Sequence, residues 1–322
     1  MRVLVTGGAG YIGSVVVAQL LQAGFEVAVL DNLSNGHAQA VPDGAKLHVG
    51  EVGDRALLDQ LLPGVDGVLH FAASIEVGES MQNPIKHFRN NAGNAFLLLE
   101  HMQAHGVRRF VFSSTAALYG NPERVPIREE DTLRPANAYG ESKHLVEQAL
   151  VWLHSQTGLG YASLRYFNAA GGCPERGEDH RPESHLIPLI LEVAQGKRPH
   201  IAIFGDDYET RDGTAVRDYI HIEDLASAHV LALQALEPGK RLIYNLGNGI
   251  GFTVKEVIEV ARQVTGHPIP ALLSPRRAGD PAMLVASSEK IRSELGWRPR
   301  YPDLEPIVAS AWAWRSAHPD GY

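Results

Sequence analysis

The sequence predicts an α/β protein: a doubly wound parallel sheet of the Rossmann type, followed by a smaller C-terminal α/β domain for a second ligand. Three observations carry this. Short β-branched or apolar runs alternate with helix-length segments through the first half of the chain, the pattern of right-handed βαβ crossovers. A glycine-rich loop, Gly7-Gly8-Ala9-Gly10-Tyr11-Ile12-Gly13, lies between the first such run and the first helical pattern. After about Asn168 the texture changes to a stretch rich in glycine, proline and charge, residues 171–182, with shorter elements behind it.

Taken in order, the expected strands are residues 3–6, 26–30, 46–49, 67–71, 110–113 and 162–165. Residues 14–23 fit the first crossover helix, ended by Gly24, and 90–105 and 139–157 fit later ones, the last closed by Gly158. Segments 186–195 and 254–265 are helical in the second half. The division is expected between residues 1–169, which hold the cofactor, and 170–322, which hold the variable ligand. Part of 216–232, strand-like and then helical, returns to the first domain.

The bulk properties narrow the classes of partner. A chain of 322 residues, 44% apolar and 20% charged, can bury a sizeable core. Its net charge of −8, without a Lys/Arg-rich run, argues against nucleic acid or an anionic membrane, so an anionic ligand needs local basic residues. The single cysteine, Cys173, excludes an intramolecular disulfide and reads as an ordinary loop residue. Residues 1–5 run straight into a strand, leaving no room for a signal peptide, and no apolar run reaches bilayer length. A cytoplasmic location is expected.

The glycine loop is placed to bind a dinucleotide. Its glycines remove Cβ atoms where the backbone turns, meets a pyrophosphate or packs helix on strand, and the helix start offers free N–H groups. Asp31, at the end of the second strand, can accept from an adenosine ribose and repels a 2′-phosphate, which favours NAD over NADP. Asn32 follows it.

Tyr139 and Lys143 stand at i, i+4 on the start of a helix, so phenol and ammonium share a face. A cation beside a phenol favours phenolate, which makes a tuned acid/base. Upstream, Ser113, Ser114 and Thr115 end a strand at the carboxyl edge of the sheet, where ligands of open α/β folds bind. His101 and His105 have metal-compatible spacing, but without an accompanying carboxylate or cysteine cluster they read as a wet helix end, and no metal is expected.

Glycine loop, strand-end hydroxyls and Tyr-x-x-x-Lys in this order resemble the extended short-chain dehydrogenase/reductase family. Further stretches resemble its UDP-glucose 4-epimerase branch: Gly7–Ser14, His70-Phe71-Ala72-Ala73, Val77–Ser80, Asn90–Asn91, Leu164–Asn168, Ile203–Tyr208, Asp212–Thr214, Val216–His221, Tyr244–Gly247, Arg276–Asp280 and His318–Tyr322. The likeness runs over essentially the whole chain. It implies Tyr139 as acid/base, Lys143 as its electrostatic partner and ribose contact, and Thr115 as the hydroxyl near the sugar's C4 oxygen. For NAD it implies Gly7, Gly10, Tyr11, Ile12 and Gly13, then Asp31 and Asn32, then Glu51 and Val52 near the adenine. Phe71, Ala72, Ala73, Asn90, Ser113, Tyr139, Lys143 and Tyr166 complete that set, with Tyr166 also beside the sugar.

For the UDP-hexose the resemblance implies Asn168, His185, Leu186, Phe204, Arg217, Arg277, Asp280 and Leu284, together with Thr115 and Tyr139. Spacing alone reads Phe204 and Leu186 as core and the two arginines as surface charge. Fixed, bidentate-capable cations suit an acidic protein that binds a diphosphate. The chain departs from relatives at Glu51, where Asp is common, at Ile75, where some carry a cofactor-binding lysine, and at His185, where many have Asn. Leu284 stands where a tyrosine in some relatives excludes N-acetylated sugars, although Met283-Leu284-Val285 also reads as a plain strand.

The implied reaction removes the 4-hydroxyl proton and a hydride to give a 4-keto sugar, turns the sugar, and returns the hydride to the other face. Rival readings are a 4,6-dehydratase, disfavoured by the absence of acids at Thr115-Ala116-Ala117, a UDP-uronate epimerase or decarboxylase, and a non-catalytic NAD-binding regulator. The resemblance also implies a homodimer that packs two helices per subunit.

Overall fold

The computed structural model describes residues 1–277 and 280–322; Ala278 and Gly279, inside the Arg276–Asp280 motif, lie outside the described residues. The first half runs β1 (Arg2–Thr6), α1 (Tyr11–Gln22), β2 (Glu26–Asp31), β3 (Lys46–Val49), α2 (Arg55–Leu61), β4 (Gly67–His70), α3 (Val77–Gln82), α4 (Pro84–His87), α5 (Asn94–Ala104), β5 (Arg109–Thr115), α6 (Ala138–Thr157) and β6 (Gly160–Tyr166). The second half runs β7 (Asn168–Ala170), α7 (Leu186–Ala194), β8 (Ile201–Phe204), β9 (Val216–His221), α8 (Ile222–Ala235), β10 (Arg241–Leu246), β11 (Gly251–Thr253), α9 (Val254–Thr265), β12 (Ala271–Ser274), β13 (Met283–Leu284), α10 (Glu289–Leu295) and α11 (Leu304–Ala317).

The main sheet has seven strands in the order β3-β2-β1-β4-β5-β6-β10, all parallel. Its inner strands are buried on both faces, which is why they read as continuous apolar runs rather than as alternating patterns. One face packs on α1 and α8 through Val16, Leu20, Leu225 and Leu233; the other packs on α2, α5 and α6 through Leu58, Leu98, Val146 and Leu150. The strand order reverses direction between β1 and β4, and a crevice opens there at the carboxyl ends of the strands.

Past β6 the chain builds a smaller mixed sheet, β11-β9-β13 with β7 alongside β9, and a β8–β12 pair. Their core comes from α7, α9 and α11, with Ile190, Val257 and Ile307 fully inside. Helix α9 starts with a Thr253–Glu256 capping box and ends at Gly266 in the left-handed region, so its limits follow from sequence chemistry. From β9 the chain passes through α8, which lies on α1, into β10 at the edge of the main sheet. No helix among the described residues is long and apolar enough to cross a membrane.

Two local expectations differ from the structure. The helix expected at 90–105 is α-helical only over α5; Phe88–Gly93 before it is a π-helical segment. The wider turn carries Asn91 to the Ser74 backbone, 2.7 Å from its N–H, and to Ser142 Oγ at 3.1 Å, bonds that a tight α-turn would have to aim elsewhere. The expected wet turn at His101 and His105 is also corrected: His101 is only 8% exposed, and Asp59 of α2 bonds both rings.

Candidate functional site

The glycine loop joins β1 to α1 directly, since α1 begins at Tyr11 with Gly10 as an N-cap that has no side chain to occupy the free N–H groups. Two of its glycines are dictated by backbone contact. A Cβ on Gly13 would sit 2.1 Å from the Gly7 carbonyl oxygen, and one on Gly7, at φ +74°, would sit 2.5 Å from the Ala72 nitrogen. The loop is thereby pressed against β4's exit while the helix end faces the crevice. Asp31 holds this loop in place, accepting from Ala9 N–H and Leu33 N–H at 2.9 Å each. Burial raises the Asp31 carboxyl above its ordinary value, and those two donors pull it back.

The reactive groups come from the end of β5 and the start of α6. Asn137 caps α6 by accepting from Gly140 N–H at 2.8 Å, which sets Tyr139 in the first turn. Burial raises the Tyr139 phenol above its ordinary value, and the facing Thr115 hydroxyl opposes that shift. Lys143 is 2% exposed; its Nζ donates to the Ser113 carbonyl at 3.0 Å and sits 5.0 Å from the Phe112 ring centroid. Burial pushes this ammonium down to about 7, so near neutral pH it is charged in only part of the molecules. Tyr166 and Ser113 share a 2.5 Å hydroxyl hydrogen bond beside the pair.

The opposite wall carries cations on aromatic platforms. Arg277 lies over the Phe204 ring, 4.0 Å from its centroid, and Arg217 of β9 pairs with Asp280. β9 is pinned by Asp218, which accepts from Asn248, Gly249 and Ala286 N–H groups at 2.9–3.0 Å. His185 caps the pocket end of α7, and its Nδ1 is 2.9 Å from both Glu178 and Glu183. Against the lowering effect of burial, these carboxylates hold His185 well above its ordinary value, toward imidazolium.

Tyr139, Thr115, Lys143, Asp31, His185, Arg217 and Arg277 all line one cleft of about 1170 Å³. That exceeds the 300–1,000 Å³ of a usual small-molecule site, so there is room for two ligands end to end. Gly7, Gly10, Tyr11, Ile12, Gly13, Asp31, Asn32, Glu51, Val52, Phe71, Ala72, Ala73 and Asn90 line one arm; Ser113, Thr115, Tyr139, Lys143 and Tyr166 also line the cleft. Asn168, His185, Leu186, Phe204, Arg217, Arg277, Asp280 and Leu284 line it too. Ile75, in the place of a lysine, is also at the wall. Residues not singled out from the sequence include Ser34–Gly36, whose position just past Asp31 was the available signal, and Glu178 and His180, which had none.

The residues present fit a dinucleotide: a cradle that a Cβ would fill, an open helix N-terminus and a ribose-side carboxylate. Residues 3–247 match the NAD dependent epimerase/dehydratase family. The chain is 55% identical to the UDP-glucose 4-epimerase of Halalkalibacterium halodurans, over 100% of this chain and 98% of that one. It superposes at TM-score 0.96 and 37% identity on the UDP-glucose 4-epimerase of Bifidobacterium longum in complex with NAD+ and UDP, covering 100% of both chains. The UDP-Glc/GlcNAc 4-epimerase of Campylobacter jejuni matches at TM-score 0.88 and 42% identity, over 98% of this chain and 99% of that one. With one large cleft on a Rossmann sheet and a family match over three quarters of its length, the chain belongs to the NAD dependent epimerase/dehydratase family.

Proposed function

We infer that the chain interconverts UDP-glucose and UDP-galactose through a 4-keto sugar, the reaction of a UDP-glucose 4-epimerase, with NAD as its cofactor. The carrying observation is one cleft in which Thr115 and Tyr139 share a wall with a dinucleotide cradle and with Arg217 and Arg277. Residues 1–169 hold the cofactor and 170–322 the nucleotide sugar, apart from the return through α8 and β10. Gly7, Gly10 and Gly13 would hold the pyrophosphate of NAD, and Asp31 the adenosine ribose. Bound NAD supplies the hydride acceptor, its reduced form the returning hydride, and its positive ring a field that favours phenolate.

The chain's own residues handle the proton and the anchoring. Tyr139 takes the proton from the sugar's 4-oxygen and later gives it back, with Thr115 hydrogen-bonding the same oxygen. Lys143, fixed by Ser113, holds a ribose hydroxyl and, in its protonated form, favours phenolate at Tyr139. Arg217 and Arg277 grip the diphosphate, so the sugar itself is free to turn and offer either face. Incubation with UDP-galactose, UDP-glucuronate and UDP-N-acetylgalactosamine, followed by chromatographic separation of the epimers, tests this reading. Conversion of UDP-galactose to UDP-glucose is expected; no conversion by a protein that holds NAD sinks it.

Asp31→Ala is expected to lower the NAD content of the purified protein and to raise relative tolerance of NADP, because the carboxylate that repels a 2′-phosphate is gone. Cofactor content and preference equal to the parent's would remove Asp31 from the ribose.

Leu284 belongs both to β13 and to the cleft wall. It is smaller than tyrosine, so UDP-N-acetylhexoses are substrates as well. Leu284→Tyr should lower kcat/KM for acetylated over plain sugars by roughly 10-fold or more, the scale of one pocket side chain at ~1–3 kcal/mol. An unchanged ratio in that variant means another residue sets the limit.

The protein assembles as a homodimer through α5 and α6, which expose Phe96, Val151 and a 71% exposed Trp152. Light scattering reads the mass directly, and a monomer at micromolar concentration rules this out. A free thiol and an NAD-dependent reaction fit the cytoplasm.

A further inference from the structure

Helix α5 presents His101 and His105 one turn apart, and Asp59 of α2, 42 residues before His101, meets both. Asp59 Oδ1 is 2.8 Å from His101 Nδ1 and 2.9 Å from His105 Nε2. One ligand atom from each residue lies within 4.8 Å of the others. Two imidazoles and a carboxylate around one point form a donor set that suits zinc-class ions and leaves a fourth position for water.

We propose that Asp59, His101 and His105 bind a divalent transition metal of the zinc class, which ties α2 to α5 outside the cleft. Metal–ligand bonds of about 2.0–2.1 Å place tetrahedral ligand atoms roughly 3.3 Å apart, so the two Asp59 contacts must open by about half an ångström. The Asp59 side chain is 55% exposed and free to move that far. On binding, the ring protons sit on His101 Nε2 and His105 Nδ1. His101 Nε2 is buried without a partner in either tautomer, so the exchange orphans no further atom on that ring. Glu178, His180, Glu183 and His185 form a second compact group, but there the two carboxylates hold both imidazoles toward their protonated form and Arg315 also pairs with Glu183.

The two helices brace the cofactor end of the cleft. α2 follows Glu51 and Val52, and α5 follows the π-helical segment that carries Asn90, all of which line it. A metal between Asp59 and the two histidines therefore stabilises the folded protein without entering the reaction.

The test uses full-length protein stripped with a chelator. Titration with Co2+ alone should give the visible absorption of a tetrahedral complex, saturating at one ion per chain. Zn2+ at about 100-fold over its Kd should raise Tm on the order of 3 °C. Both signals should vanish in His105→Ala and in the near-isosteric Asp59→Asn, and persist in His180→Ala. A parent protein with neither signal overturns the proposal, as does a cobalt band that survives His105→Ala. A band lost in His180→Ala but kept in Asp59→Asn places the metal at the cleft instead and overturns it equally.

Discussion

Tyr139→Phe lowers kcat by a factor on the order of 10² or more while the purified protein keeps its NAD. The phenyl ring still fills the space between Thr115 and the cleft, and the glycine cradle and Asp31 are built by other elements, so cofactor retention should not change. What disappears is one oxygen, the group placed to carry the 4-hydroxyl proton. Because burial already holds the phenol above its ordinary value, nothing else among its described neighbours is poised to replace it: Thr115 is a weaker acid, and Lys143 is engaged by Ser113. KM should move little, since the nucleotide grip lies with Arg217 and Arg277. Steady-state rates with UDP-galactose, set beside NAD content from absorbance, check both halves. A rate within about threefold of the parent's removes Tyr139 from the proton transfer.

The parts of the site visible in the sequence are those whose chemistry is local. Gly7 and Gly13 are forced by backbone contacts a few residues or one strand away, and Tyr139 and Lys143 by spacing on a single helix. Among the six strands from β1 to β6, all but β3 were also visible because burial on both faces writes a largely apolar run, whereas β3, at the sheet edge, is half-exposed. Leu284, Arg217 and Arg277 carry no such local mark. Spacing reads them as strand or surface, and only resemblance assigns them to the sugar nucleotide. The π-helical turn was invisible for a different reason: Phe88–Gly93 has poor helix formers in Asn90, Asn91 and Gly93, but nothing local separates a π-turn from an α-turn, and Asn91 bonds Ser74 and Ser142 far along the chain. Asp59 was missed beside His101 because 42 residues separate them, although the histidine spacing itself was plain. The β8–β12 pair, with Leu272 and Leu273 exposed on β12, likewise lacks the runs that marked the main sheet.

Arg165→Met should cost about 3–5 kcal/mol of stability, the scale for breaking one side of a buried ion pair. Arg165 on β6 and Glu147 on α6 have side chains only 4% and 7% exposed. Arg165 donates to Glu147 from Nε at 3.0 Å and from the terminal nitrogen at 2.6 Å, a bidentate grip. It also donates to Tyr119 Oη at 2.9 Å and to the Glu129 carbonyl at 3.1 Å. Glu147 receives Ser114 Oγ at 2.6 Å, one residue before Thr115. The network therefore ties the strand end that presents Thr115 to the helix that presents Tyr139. Methionine fills part of the volume but leaves the Glu147 carboxylate buried with a single hydroxyl donor, and desolvation rather than lost packing dominates the loss. Urea titration should show the lower stability, and Tm should fall by roughly 4–7 °C. Arg165→Met combined with Glu147→Met is the discriminating control. Removing both charges leaves no unpaired buried charge, only neutral groups such as Ser114 Oγ to find new partners, so the double variant should be more stable than Arg165→Met alone. A double variant that is the weaker of the two means the pair contributes through shape, not charge.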